Sequence, residues 1–207
     1  MFSKPVIAII GATERTGSTL AGLLAQANQR LLLVDAAAEA LFTLAAELKE
    51  KFPAASIEVQ TCAREASWEA DIIIIASAGQ SYCSVADKIQ AVAIGKIVIS
   101  VSSIVKSPAA EGDDLSAAEE LQKLLPYSKV IKTFNALMAS DFVSALVDGA
   151  ALDIYIAGND EEAVAAVEEL VRAVGFRPVM AGDLTASRTL EQKISAAQTG
   201  NQTIQLK

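Results

Sequence analysis

The chain has 207 residues, 52% hydrophobic and only 5% aromatic, with a formal net charge of −8 and no histidine. That length holds one domain with a sizeable core, and a core of Ala, Val, Leu and Ile suits helices packed on a buried sheet. The acidic balance argues against a nucleic-acid or anionic-membrane surface, and the lack of imidazole removes the Ser-His and Cys-His nucleophile pairs and the commonest metal ligand. No metal site is expected.

The first apolar run, 5–10, predicts a strand. It meets Gly11-Ala12-Thr13-Glu14-Arg15-Thr16-Gly17 and then a helical stripe of Leu20, Leu23, Leu24 and Ala27. Strand, glycine turn and helix in that order form a dinucleotide-binding unit. Gly11 turns off the strand and Gly17 allows close helix packing, so the amides from Thr16 to Ser18 would face a phosphate at the positive helix end. A plain strand-to-helix turn without ligand is the blander alternative. The G-x-x-G-x-x-G spacing carries Glu14 where its middle glycine would be. A carboxylate about 4 Å from a phosphate costs about 1 kcal/mol in water and about 4 kcal/mol at an effective dielectric of 20. Two arrangements relieve this: Glu14 turns to solvent, or Arg15 neutralises it and touches the phosphates.

A second strand, 31–35, ends in Asp35, about 18 residues beyond Gly17. An acid there accepts from the ribose hydroxyls of NAD and repels the 2′-phosphate of NADP. Ala36-Ala37-Ala38 follow and offer no cation, so NAD is expected over NADP; the other reading of Asp35 is an N-cap for the next helix. That helix carries Leu41, Leu44 and Leu48. Further strands are predicted over 57–60, 71–76, 96–101, 129–133, 152–157 and 177–180, with helices between them. The run Ile72-Ile73-Ile74-Ile75 is too short for a membrane span. Cys62 and Cys83 lack metal-ligand spacing and read as reduced thiols. With no signal peptide predicted at the start, the expected location is the cytoplasm.

The stretch 106–114 reads as an exposed loop. Ser116-Ala117-Ala118-Glu119 reads as a capping box before Leu121, Leu124 and Leu125. A later helix carries Val164, Val167, Val171 and Val174, opens on Asn159-Asp160-Glu161-Glu162 and stops at Gly175. The last helix is expected over 184–199, before a polar tail from Gly200. The alternation predicts a single α/β domain over 1–207: a doubly wound parallel sheet of about eight strands, an NAD(P)-binding Rossmann fold. Its ligand would lie at the carboxyl ends of the strands, along Gly11–Gly17, Asp35, Ala76-Ser77-Ala78-Gly79, Ser100–Ser103 and Thr133-Phe134-Asn135. Asn135 is placed to bond a carboxamide, although such residues also serve turns.

Four motifs then occur in order: Gly11-Ala12-Thr13-x-x-x-Gly17, Lys132-Thr133-Phe134-Asn135, Ile156-Ala157-Gly158-Asn159-Asp160-Glu161-Glu162, and Ala181-Gly182-Asp183-Leu184-Thr185-Ala186-Ser187-Arg188-Thr189-Leu190-Glu191. Together they resemble the deazaflavin (coenzyme F-420)-dependent NADP oxidoreductases and the related domain of the STEAP metalloreductases. The resemblance runs from residue 4 to about 192. It implies a Rossmann domain that passes hydride between a nicotinamide and a flavin or deazaflavin ring, chemistry that needs no side-chain acid or base. By the same resemblance Gly11, Thr13 and Gly17 hold the dinucleotide, while Ala76, Ser77, Phe134 and Asn135 line its nicotinamide end; the expected cofactor-binding set also includes Ala12, Glu14, Arg15, Thr16, Asp35 and Ser102. The chain departs from the family pattern at Glu14; at Asp35, where the family has a Ser/Thr-Arg pair; at Ala76-Ser77-Ala78, which lacks a proline; and at Asp183, which replaces one. The expected activity is an NAD(P)-dependent oxidoreductase with a small-molecule redox acceptor. The alternative is a non-catalytic dinucleotide sensor. A homodimer through the last helix is the expected assembly.

Overall fold

The computed structural model describes residues 4–77, 81–101, 115–134 and 152–192. Eight strands form one sheet: β1 Val6–Ile10, β2 Arg30–Val34, β3 Ser56–Gln60, β4 Ile72–Ile75, β5 Ile97–Ser100, β6 Lys129–Lys132, β7 Asp153–Gly158 and β8 Arg177–Gly182. Their spatial order is β3-β2-β1-β4-β5-β6-β7-β8. The chain winds outward from β1 through β2 and β3, then returns to the other side of β1 with β4. Strand order therefore reverses between β1 and β4, and a crevice opens there at the carboxyl ends.

All eight predicted strands are present, each within two residues of its expected ends. The sheet is not wholly parallel, which corrects the sequence expectation. β6 and β7 pair antiparallel, with Ile131 opposite Gly158, and β8 runs parallel to β7. Thus β7 starts at the same sheet edge where β6 ends, and no crossover to the other edge separates them. A doubly covered strand is apolar throughout whichever way it runs, so the sequence pattern does not encode its direction. At the outer edge, the Arg177 amide bonds the Leu152 carbonyl across to β7. Alternation then turns Pro178 outward, where its missing N–H blunts the open edge.

The helices divide between the two faces. α1 Arg15–Gln26, α2 Ala38–Lys51 and α6 Glu161–Ala173 cover one face through Leu20, Leu24, Leu41, Leu48, Val167 and Leu170. α3 Ala63–Glu69, α4 Ser81–Ile89 and α5 Ala117–Leu124 cover the other through Ala66, Ala86, Ile89 and Leu121. The predicted caps are present. Ser116 and Glu119 form the capping box of α5, Asp160 accepts from the Ala163 amide at the start of α6, and Gly175 ends that helix at φ +90°. The expected last helix begins as a 3-10 turn, Leu184–Ala186, and continues as α-helix over 187–192. Its remainder, the predicted loop 106–114 and the polar tail lie outside the described residues. Among the described residues no helix is long and apolar enough to cross a membrane.

Candidate dinucleotide-binding site

The loop after β1 is fixed by backbone rather than by side chains. The amides of Gly11 and Ala12 both donate to the Val34 carbonyl, at 2.9 and 3.1 Å, and tie the loop to the end of β2. Gly11 sits at φ +84°, and a Cβ there would meet the amide nitrogen and hydroxyl of Ser77, each at 2.8 Å. A Cβ on Gly17 would stand 2.0 Å from the Gly11 carbonyl oxygen. Both glycines therefore mark real close approaches, one of loop to β4 and one of helix to loop.

α1 begins without a side-chain cap. Glu14 is its N-cap residue in extended conformation, and its carboxylate makes no capping bond. The Glu14 amide donates to Gly11 and the Ser18 amide to the Glu14 carbonyl. Among the described residues the amides of Arg15, Thr16 and Gly17 have no partner, so three donors stand open at the positive helix end. Glu14 and Arg15 are both exposed, and no ion pair joins them among the described residues. Of the two arrangements that relieve Glu14, the structure adopts the turn to solvent.

Asp35 sits one residue past β2 and does more than its sequence position suggests. Its Oδ2 accepts from the Thr13 amide at 3.0 Å, and its Oδ1 accepts from the Ala37 amide at 3.1 Å. It thus bridges the glycine loop and the start of α2, whose N-cap residue is Ala37. Partial burial alone would raise its pKa. Hydrogen bonds from the Thr13 side chain and the Thr13, Ala37 and Ala36 amides outweigh that and hold it below the usual carboxylate range. The group is therefore ionised at neutral pH, and no ion pair neutralises it among the described residues.

Ala76 and Ser77 follow β4 and are buried, with Ser77 packed against Gly11. At the end of β6 the Phe134 side chain is fully buried in the core beside Ile131, at φ +56°. A bulky residue in the left-handed region costs about 1–3 kcal/mol, which this burial sustains. Thr133 is equally buried, and its hydroxyl has no hydrogen-bond partner among the described residues. Ser102 and Asn135 lie outside the described residues.

One polar cluster was not singled out as functional by sequence. Lys132, fully buried, pairs with Glu191 at 3.1 Å, and Glu191 also accepts from the Ala117 amide at 3.0 Å. Arg188 clasps Glu119 through two bonds of 2.7 and 2.6 Å, and the Ser116 and Ser187 hydroxyls meet at 2.6 Å. Beside Arg188 the Glu119 carboxyl falls to about 2, while burial pulls the Lys132 ammonium below its ordinary value. This network locks the segment 183–191 to α5 and β6, so the last family motif acts here as a clamp. The sequence signal was available: Ser187, Arg188 and Glu191 recur at helical spacing, opposite the capping box.

A switch-point crevice floored by two sterically required glycines, with open amides on one side and an ionised acid on the other, is the arrangement of NAD(P)-binding Rossmann domains of oxidoreductases. The model of the semialdehyde dehydrogenase NAD-binding domain matches residues 6–170, and the chain belongs to that family. It is 32% identical over 139 residues to metalloreductase STEAP3 of Rattus norvegicus, a match covering 66% of this chain and 27% of the relative. The chain thus spans about a quarter of the length of the curated relatives it matches. A crystal structure of a protein assigned as an F-420-dependent NADP-reductase from Arthrobacter sp. FB24 superposes with a TM-score of 0.75 at 22% identity, covering 93% of this chain and 91% of that one. The imine reductase of Myxococcus stipitatus in complex with NADP+ superposes with a TM-score of 0.66 at 16% identity, over 95% of this chain and 62% of that one.

Proposed function

We propose that this chain binds NAD across the carboxyl ends of β2, β1 and β4 and holds its nicotinamide for hydride exchange with a small, flavin-like redox acceptor. The observation that carries this reading is the uncapped start of α1. Three amides stand open where the two glycines leave no room for anything but backbone, and that is a pyrophosphate cradle. The residues fit the cofactor on the ribose side as well. The Asp35 carboxylate, held ionised by the Thr13 and Ala37 amides, is an acceptor suited to the ribose hydroxyls. Ala76 and Ser77, at the end of β4 beside Gly11, lie on the path towards the nicotinamide.

The cofactor supplies the hydride chemistry. The chain's residues bind, orient and exclude water, and a site without histidine suffices for that. Names among the relatives support the redox reading: STEAP3 is called a metalloreductase, and the imine reductase is in complex with NADP+. NAD is favoured over NADP because the ionised Asp35 would face a 2′-phosphate with no cation paired to it. At contact distance that repulsion is about 1–4 kcal/mol, roughly a 5- to 800-fold preference.

Parallel titrations with NADH and NADPH test the reading, alongside steady-state NADH oxidation with FMN, a quinone and a deazaflavin as acceptors. Tighter NADH binding with turnover is expected, and Asp35→Asn should narrow the gap between the two nucleotides. Equal or reversed affinities in the parent chain would remove Asp35 from this role. The second reading, a non-catalytic dinucleotide sensor, draws on the departure at Glu14, the exposed residue that precedes the open amides. Tight binding without turnover on any acceptor would select it.

A further inference from the structure

Three unfavourable features follow one another at the carboxyl end of β6. Lys132 sets an ammonium in the core with no exposure. Thr133 is buried as deeply, and its hydroxyl has no hydrogen-bond partner among the described residues. Phe134 sits at φ +56°. A buried ion pair is often no more stable than an apolar pair of the same volume. An orphan hydroxyl is a net loss, and left-handed backbone disfavours a bulky side chain. Departures of this kind gather where a fold holds a ligand, and their position agrees with that. The carboxyl edge carries Asp35 beyond β2, the glycine loop beyond β1, and then the ends of β4, β5 and β6. With the ribose at β2, the nicotinamide half extends the other way. The β6 end lies two strands past β4, roughly 10 Å at the usual strand spacing.

We propose that Lys132 and Glu191 are positioning residues that hold the Thr133-Phe134 turn against the nicotinamide half of a bound dinucleotide. The inference rests on the dinucleotide reading above and adds a far wall to the cradle, Asp35 and Ser77. Both residues are buried, so they act through the turn and not on the ligand. The Lys132 ammonium stands 3.1 Å from Glu191 Oε1, and Glu191 Oε2 accepts from the Ala117 amide at 3.0 Å. One carboxylate thus ties the helix over 187–192 to the strand end and to the first turn of α5. That helix is itself fixed, because Ser187 meets Ser116 and Arg188 clasps Glu119. The sheet offers the turn less: the Thr133 amide reaches the Ser100 carbonyl of β5 only at 3.4 Å. An apolar pair could fill the same space, but it would set no direction. The ion pair and the amide bond fix the distances among β6, α5 and the last helix, and so fix where the chain leaves the sheet.

ADP-ribose separates the two halves of the site, because it carries everything in NADH except the nicotinamide. It reports on the cradle and Asp35 alone. In calorimetric titrations the parent should bind NADH more tightly than ADP-ribose. The double variant Lys132→Met with Glu191→Leu keeps the volume and should unfold cooperatively. Its NADH affinity should fall roughly 2- to 12-fold, the worth of one hydrogen bond, while its ADP-ribose affinity stays within about two-fold of the parent's. The emission of bound NADH should move back towards that of the free nucleotide. Glu191→Asp keeps the charge but is one methylene too short to reach both Lys132 and Ala117, and it should shift NADH binding in the same direction. If the folded variants weaken both nucleotides alike, or neither, the pair is a packing feature and the proposal is overturned. A parent that binds NADH and ADP-ribose equally also overturns it, while leaving the cradle in place. A parent that binds neither removes the dinucleotide reading itself, and this inference with it.

Discussion

Gly17→Ala separates a glycine that the fold requires from one that is incidental. Alanine is ordinarily the better helix former by about 1 kcal/mol, so on propensity alone the change should stabilise α1. The new Cβ would instead stand 2.0 Å from the Gly11 carbonyl oxygen, 2.9 Å from its carbon and 3.0 Å from the Ala12 Cα. Carbon–oxygen contacts settle at about 3.3 Å or beyond, so loop and helix must part by about 1 Å. All three neighbours are backbone and cannot rotate away. Forced overpacking of this kind costs about 1–3 kcal/mol, and at about 2–4 °C per kcal/mol for a chain this size the melting midpoint should fall by about 2–12 °C. Loss of one charge-assisted bond to a phosphate, about 1.5–3 kcal/mol, would weaken NADH binding roughly 10- to 150-fold. Gly22→Ala is the control in the same helix, since its Cβ would touch only Leu48 Cδ2 at 3.9 Å; it should leave binding unchanged and stability equal or slightly higher. Thermal melts and NADH titrations of the two variants provide the comparison. If Gly17→Ala melts at or above the parent and binds NADH as well, the close approach is not what shapes this site.

Glu14→Gly should tighten NADH binding by less than about ten-fold, and less at high salt, because the carboxylate already stands in solvent; a gain near a thousand-fold would place it against the phosphates. Glu191→Gln removes the carboxylate that faces the fully buried Lys132 ammonium and should cost about 3–5 kcal/mol, whereas Lys132→Met with Glu191→Leu should recover most of that loss. Equal destabilisation of the single and double variants in denaturant melts would argue against a buried pair. Glu119, held at about 2 by Arg188 against its ordinary 4.5, contributes stability that is complete above pH 4.5 and lost as pH falls towards 2. The full shift corresponds to at most about 3 kcal/mol, reduced to about 1–2 kcal/mol because Arg188 is partly exposed. The stability gap between the parent and Glu119→Gln should therefore shrink between pH 6 and pH 3, and a gap that stays constant would remove the ion pair as its source.

The strands were legible because each is a short apolar run bounded by turn residues. The two caps were legible because Ser116 and Asp160 act on amides three residues away, and so was the glycine loop, which depends on spacing along one segment. The direction of β7 was not, since a strand covered on both faces carries no mark of which way it runs. The burial of Phe134 was not legible either, because an aromatic residue at the end of a strand reads as an edge residue until the core around it is seen. The Lys132–Glu191 pair joins positions far apart in sequence, and a charged residue ending a strand looks solvated until its partner is seen.

The structure also changes what the departures from the family pattern mean. The proposed phosphate cradle is built from main-chain donors and two sterically necessary glycines, so a side chain at position 14 that points outward leaves it whole. Asp35 is different, because its carboxylate is part of the loop's own bracing through the Thr13 and Ala37 amides. A Ser/Thr-Arg pair could not replace it without losing that brace. The proposed nucleotide choice and the loop geometry thus rest on the same side chain. Converting this site towards NADP would require a new partner for the Thr13 amide as well as a cation for the 2′-phosphate.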